Sequence, residues 1–351
     1  MAAPEPLGTR RRAAFAAVTL LVPPALLLAM FEAALRLLVP SDPPVLRPGR
    51  SVAELLAESE RTDVSRATQG RFMGLIRPSQ SKERVYELKP GRLWLSEEAP
   101  VRTNSRGFRG GELPETKPAD TIRIVGLGDS VMFGWGVTED QTYLCRLENA
   151  LRADAGGERV EVLNLAVPGY NSSQEAAVFR DEALPLSPDL LLVGYVLNDA
   201  EPVLFRDEAP ENPLIASSRL LQLARDLARE RLPGANAARD AMAVAVRDIG
   251  RRAKERDIPA IFFIYPNRVR GEDPEVPRRI AEESGFVCVD LYAAFEGYYR
   301  RTGRVFDDVA LSRTDAHPNS EGHRLMAEAL LEPVRAALAA ASKSRGQRRS
   351  D

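Results

Sequence analysis

The chain has 351 residues, 44% hydrophobic and 28% charged, a composition that builds a packed core and excludes a disordered chain. A formal net charge of −2 leaves no global basic field, so nucleic acid is excluded as a partner. There are only two cysteines, Cys145 and Cys288, both in apolar surroundings, and no CxxC or paired-histidine spacing; a structural zinc site is excluded and no cofactor is expected.

In chain order, residues 1–12 form a basic N-terminus that ends in Arg10, Arg11 and Arg12, followed by an uncharged apolar run from Ala13 to Phe31. That run is close to the roughly 20 residues that span a bilayer as a helix, and the arginines orient it with the N-terminus cytoplasmic. A single-pass anchor over residues 13–39 is expected, with the rest of the chain extracytoplasmic. The run is long for a signal peptide and "LLAMFEA" offers no small-x-small site, so an uncleaved anchor is favoured over a cleaved one. Glu32 and Arg36, four apart, are spaced to pair on one helical face.

Residues 40–50, "PSDPPVLRPGR", read as a proline-rich linker. Residues 51–120 mix short alternating stretches, "VYELKPGRLWL" and "VRTNSRGFRG", with glycine turns, and read as an extension packed on the domain that follows. From Thr121 the rhythm changes. "IRIVGLG", "VEVLNLAV", "DLLLVGYVLN", "AIFFIYP" and "FVCVDL" are apolar runs suited to strands buried on both faces. Helical patterns separate them at residues 141–155, 173–184, 214–257 and 274–283, and a last one covers about 320–341. The alternation predicts an α/β domain over residues 121–341, a parallel sheet of about five strands between two helical layers. A basic tail, residues 342–351, is expected to be solvated and disordered.

Ligands of such sheets bind beyond the carboxyl ends of the strands, and that is where the chemistry-bearing residues fall. The first strand runs into Gly128-Asp129-Ser130. A serine hydroxyl attacks only when a base takes its proton. Of the two histidines, His323 falls on the last helix and reads as packing or capping. His317 stands in the loop before that helix with Asp315 two residues ahead, a carboxylate able to hold the imidazole tautomer and stabilise an imidazolium. Gly-Asp-Ser alone is often only a turn, and Asp-x-His-Pro alone a helix start. Two further strand ends supply what acyl transfer also needs, donors for an oxyanion: the Gly169 backbone amide in "NLAVPGYNS" and the Asn198 side chain in "GYVLNDA", with the Ser130 amide as a third. Asn171 matches a glycosylation sequon, but beside Gly169 it reads as rim of the site.

Ser130, Gly169, Asn198 and His317, in that order, resemble the SGNH subgroup of the GDSL esterase and lipase family over about residues 121–341. The resemblance implies a flavodoxin-like SGNH fold, Ser130 as nucleophile, Ser130 N–H, Gly169 and Asn198 as oxyanion hole, and Asp315 with His317 completing a triad. "TNSRGFRG" and "FGWGV" further resemble the family's membrane-anchored bacterial branch. The chain departs from the family at three points. Gly-x-Asn-Asp is replaced by Val196-Leu197-Asn198-Asp199, Thr314 stands where the acid is most common, and Val131 replaces the leucine of the name motif. Asp307 and Asp308 are the rival carboxylates. An α/β-hydrolase nucleophile turn would need a glycine where Met132 stands. The expected activity is hydrolysis of an ester-bearing small molecule or acylated glycan. The alternatives are an O-acyltransferase acting on an envelope glycan, or a tethered binding module with a relict site.

Overall fold

The computed structural model describes residues 72–350 apart from 73, 96–98, 115, 155–158, 202, 204–217, 219, 222–232 and 267–273, and, ahead of these, residues 20–36 apart from 21, 25 and 35. The chain divides into two compact units, Met1–Gly49 with Asp207–Ala235, and Arg50–Arg206 with Asn236–Asp351.

In the first unit the described residues between 20 and 36 are helical, and Leu20, Leu26, Leu27, Leu28, Met30 and Phe31 are exposed. Arg36 Nε donates to Glu32 at 2.7 Å, the pair that the spacing predicts, and Glu32 also accepts from Ser218 Oγ at 3.0 Å. Among the described residues no helix is long and apolar enough to cross a membrane. Residues 13–19 of the expected anchor, the basic residues ahead of it and the linker at 40–50 lie outside the described residues.

The second unit opens with two antiparallel pairs, β1 (Ile76–Pro78) with β2 (Tyr86–Leu88) and β3 (Leu93–Leu95) with β4 (Pro100–Arg102). The central sheet has five parallel strands: β5 (Thr121–Leu127), β6 (Arg159–Asn164), β7 (Leu190–Tyr195), β8 (Ala260–Ile264) and β9 (Val287–Asp290). Their order is β6-β5-β7-β8-β9. The chain steps from β5 to β6 on one side, then crosses to β7 on the other, which makes the carboxyl end of β5 the topological switch point where a crevice opens. Burial follows rank in the sheet. Central β7 is buried at all six positions, whereas edge strand β9 leaves Val287 exposed, although both read as continuous apolar runs.

The helices are α1 (Ser130–Phe133), α2 (Tyr143–Asp154), α3 (Ser172–Val178), α4 (Pro233–Lys254), α5 (Glu275–Glu283), α6 (Leu291–Thr302) and α7 (Ser320–Ser350). Three differ from the sequence reading. Helix α3 gives way after Val178 to a wider π turn over Phe179–Ala183, and Pro185, in the short 3-10 turn Leu184–Leu186 that follows, marks its end. Helix α6 follows β9 without a loop; Asp290, the last residue of the strand, caps it by accepting from the Ala293 amide, so no turn residue announced it. Helix α7 runs on through Ser350, past the expected end at Ala341, because Ala, Lys, Arg and Gln favour helix and the one proline, Pro333, stands well before. Cys145 and Cys288 are free thiols, half-buried rather than core, and burial pushes the Cys288 thiol up to about 11.

Gly250, inside α4, shows how closely the outer layer is packed. A Cβ there would sit 2.4 Å from the Ser284 carbonyl oxygen and 2.8 Å from its Cβ, at the turn feeding β9. Alanine would gain up to about 1 kcal/mol in helix propensity, but forcing the backbone of α5's end aside costs about 1–3 kcal/mol. Gly250→Ala is therefore expected to lower stability in urea unfolding, and a rise would show that the contact yields freely.

Candidate active site

The site is assembled at the carboxyl edge of the sheet, beginning with the turn after β5. Asp129 caps α1: its Oδ1 accepts from the Val131 amide at 2.9 Å, which starts a helix on the residue that follows the strand almost at once. Gly134 ends that helix at φ 85° and Gly136 follows at φ 76°, both in the left-handed region that disfavours a side chain. A Cβ on Gly136 would overlap Leu311 Cδ1 at 2.2 Å. The two glycines thus reverse the chain tightly, and Trp135 between them is brought against the His317 ring, centroids 6.3 Å apart.

Ser130 Oγ donates to His317 Nε2 at 2.7 Å, and His317 Nδ1 donates to Asp315 Oδ1 at 2.6 Å. A carboxylate can only accept, so Nδ1 carries the hydrogen and Nε2 is left as the acceptor for the serine. Asp315 Oδ1 also accepts from the His317 amide at 3.0 Å, a contact that the two-residue spacing makes possible. The loop is braced from outside. Ser312 Oγ accepts from the Thr314 and Asp315 amides, the Leu311 amide donates to the His317 carbonyl, and Tyr265 Oη donates to the Ala316 carbonyl at 3.1 Å. Burial alone would raise the Asp315 carboxyl, but the hydrogen bonds and charge of His317 outweigh it and hold the group below its ordinary value. Such a line can move a proton from hydroxyl to imidazole and stabilise the cation formed.

The rival carboxylates are engaged elsewhere. Asp308 Oδ2 accepts from the Val305 amide at 2.9 Å, and Asp307 lies 3.7 Å from Arg313. His323 is buried, stacked on Tyr143, and accepts from the Tyr143 amide at 3.2 Å; desolvation lowers it to about 3, so it is a neutral packing group.

The loops after β6 and β7 are stitched together by three bonds. Asn198 Nδ2 donates to the Tyr170 carbonyl at 3.1 Å, Asn171 Nδ2 to the Glu201 carbonyl at 2.8 Å, and Ser172 Oγ to Asp199 Oδ1 at 3.1 Å. Gly169 and Asn198 are thereby held on adjoining loops, and the Gly169 amide has no acceptor among the described residues. Asn171, buried, is the N-cap of α3.

Three carboxyls, Asp129, Glu175 and Asp199, are buried, which the sequence does not signal. Burial raises all three, and neighbouring carboxylate charge adds to it for Glu175 and Asp199. Asp199 accepts from the Val196 amide at 2.6 Å as well as from Ser172, contacts that favour its anion. Glu175 has no such donors, and burial beside the charges of Asp199 and Asp129 raises its carboxyl well above the ordinary range.

A family model for the GDSL-like lipase/acylhydrolase family matches residues 127–325. The chain belongs to that family and is an ester-hydrolysing enzyme. No curated protein is significantly similar to it in sequence. Among solved structures it is similar to LAE5, an α/β hydrolase enzyme from the metagenome of Lake Arreo, at 20% identity over 62% of this chain and 95% of that one, TM-score 0.44. It is also similar to a catalytic mutant of Axe2, an acetylxylan esterase from Geobacillus stearothermophilus, at 19% identity over 60% and 93%, TM-score 0.43. A third is a two-domain esterase active on acetylated mannans, at 13% identity over 62% of this chain and 50% of that one, TM-score 0.45.

The raised Glu175 carboxyl has a signed consequence. A carboxyl with a raised folded value binds its proton more tightly in the native chain, so stability is lost as pH rises from the unfolded value, about 4.3, toward the folded one. Glu175→Gln needs no proton. Its stability relative to wild type is expected to increase with pH above about 4.3, by up to about 1.4 kcal/mol per pH unit for one proton. Urea unfolding from pH 4 to 8 measures this, and the opposite slope would contradict a raised Glu175 carboxyl.

Proposed function

We propose that the protein is a membrane-anchored, extracytoplasmic serine esterase that hydrolyses ester bonds, O-acetyl esters among them, with Ser130, His317 and Asp315 as its triad. The observation that carries this reading is the hydrogen-bonded line of Ser130 Oγ, His317 and Asp315 at 2.7 and 2.6 Å. Ser130 Oγ attacks the ester carbonyl carbon while its proton passes to His317 Nε2. The carbonyl oxygen becomes an oxyanion, taken up by the Ser130 and Gly169 amides and the Asn198 side chain. The intermediate collapses, the C–O bond to the leaving group breaks, and His317 returns the proton to the departing oxygen. Water, deprotonated by His317, then repeats the cycle on the acyl-serine and releases the acid. The substrate is an ester-bearing small molecule or an acylated glycan.

The anchor at residues 13–39 rests on Arg10 to Arg12 ahead of the apolar run and on the exposed apolar side chains among the described residues of that run, Leu20, Val22, Leu26, Leu27, Leu28, Met30 and Phe31, a surface suited to lipid. The resemblance of "TNSRGFRG" and "FGWGV" to the anchored branch of the family agrees with it. Protease added outside cells with a permeabilised envelope is expected to digest the catalytic domain, and full protection would rule this topology out.

The chemistry is tested with nitrophenyl esters of short and long acyl chains. Ser130→Ala is expected to drop kcat by about 10⁴- to 10⁶-fold and to abolish labelling by a fluorophosphonate. Asp315→Asn should cost about 10²- to 10⁴-fold, whereas Asp307→Asn and Asp308→Asn stay within about tenfold, near 1.4 kcal/mol of barrier. A crippled Asp308 or Asp307 variant beside an active Asp315→Asn would reassign the acid.

A further inference from the structure

The family-matched region begins at residue 127, yet two buried side chains from the segment ahead of it bond directly to the turns that carry the candidate chemistry. Arg109 is 4% exposed. Its Nη1 donates to the carbonyls of Phe133 at 3.0 Å and Gly134 at 2.6 Å, and its Nη2 to that of Val137 at 2.7 Å. The guanidinium also lies over the Phe133 ring, 5.2 Å from its centroid. These carbonyls belong to the end of α1 and the reversal that follows, so one cation gathers three acceptors at and just beyond the C-terminus of the helix that begins with Ser130.

The loop delivering Arg109 is itself fixed. Asn104 Oδ1 accepts from the Arg106 and Phe108 amides at 3.0 Å each, Asn104 Nδ2 donates to the Gly111 carbonyl, and Thr103 bridges Arg109. Burial lowers the guanidinium to about 10, the carboxylate of Glu139 opposing the shift, so it remains a cation at neutral pH.

Tyr86, fully buried, does the equivalent for the second turn. Its hydroxyl donates to the Pro168 carbonyl at 2.8 Å, its own carbonyl accepts from the Tyr170 hydroxyl, and the two rings meet edge to face at 5.1 Å. The residues on either side of Gly169 are both tied to it.

We infer that the segment containing Tyr86 and Arg109 is a positioning element of the active site, Arg109 setting the Ser130 turn and Tyr86 the Gly169 turn. A segment that merely covered the domain would be held by side-chain packing and surface ion pairs. This one spends a buried cation and a buried hydroxyl on main-chain carbonyls within seven residues of Ser130 and next to Gly169. The inference rests on the assignment of Ser130 as nucleophile and Gly169 as oxyanion donor.

The test compares Arg109→Lys, which keeps the charge but cannot reach three carbonyls, and Tyr86→Phe, which deletes one oxygen, with Gly250→Ala as a destabilised control at the opposite end of the strands. Each is assayed for kcat, KM, the rate of fluorophosphonate labelling and thermal unfolding, at a temperature where all are folded. Displacement of a reacting group by an ångström costs up to about 10²-fold. Arg109→Lys is expected to lose about 10- to 100-fold in kcat and labelling rate with KM within about threefold, and Tyr86→Phe about 3- to 10-fold in kcat. Gly250→Ala should lose stability and keep kcat. A kcat within about twofold of wild type in Arg109→Lys overturns the role of Arg109, and the same result in Tyr86→Phe overturns that of Tyr86. Should Arg109→Lys not fold, Tyr86→Phe carries the test. An active Ser130→Ala would bring down the nucleophile assignment and this inference together; with Ser130→Ala inactive, unchanged kcat in both variants brings down the inference alone.

Discussion

Ser130 and His317 are 187 residues apart in the chain and 2.7 Å apart at Oγ and Nε2, and what brings them together is that parallel strands all end on one edge. Each return crossover spends its helix on a face of the sheet and restarts the chain at the far edge, so every strand-end loop opens on the same side. The order β6-β5-β7-β8-β9 puts β5 next to the reversal of direction, where flanking loops diverge and leave room for a substrate. Ser130 emerges there, Gly169 and Asn198 emerge from the loops after β6 and β7, and the loop before α7 carries Asp315 and His317 across to meet them.

Holding these groups costs buried charge, and the molecule offsets it with main-chain donors and acceptors. Asp129 spends its carboxylate on the amide that starts α1. Asp199 ties the Val196 amide and the Ser172 hydroxyl, and so joins the loop of Asn198 to the helix after Gly169. Arg109 takes the carbonyls at the other end of α1. Left without partners, any one of these groups would cost several kcal/mol in so dry a setting, and each bonds to backbone. Bonds from a fixed backbone leave few alternative arrangements, which is what preorganised electrostatics requires.

The segment from Phe72 to Gly110 belongs to this arrangement in a physical sense. Phe72 packs edge to face on both Tyr86 and Trp135, and Trp135 lies against His317. A continuous aromatic path therefore runs from the segment ahead of the sheet to the imidazole. Short hairpins such as β1–β2 are marginal alone. Here the hairpin is stabilised by what it covers, since Arg84 pairs with Glu182 at 3.0 Å and its carbonyl accepts from Gln174 Nε2 at 2.6 Å.

The sequence by itself determined the class of fold and the candidate groups for the site. Apolar runs of strand length are legible because both faces of a central strand are buried, and with two histidines in the chain the base could be sought in only two places. Asp315 was legible because two residues of separation let one carboxylate meet both the ring and the amide of His317. Tertiary structure decided what depends on distant partners. Glu175, Asp199 and Arg109 look in the sequence like ordinary charged residues; their burial and the raised Glu175 carboxyl follow from the fold, with bonded partners 24 to 28 positions away for Asp199 and Arg109. Helix α6 was missed because its cap is the last residue of a strand, and the end of α7 because nothing local stops it. Local pattern fixes which segments are buried and which residue types reach the strand ends, whereas electrostatic state depends on what the fold packs around a charge, and that information is not local.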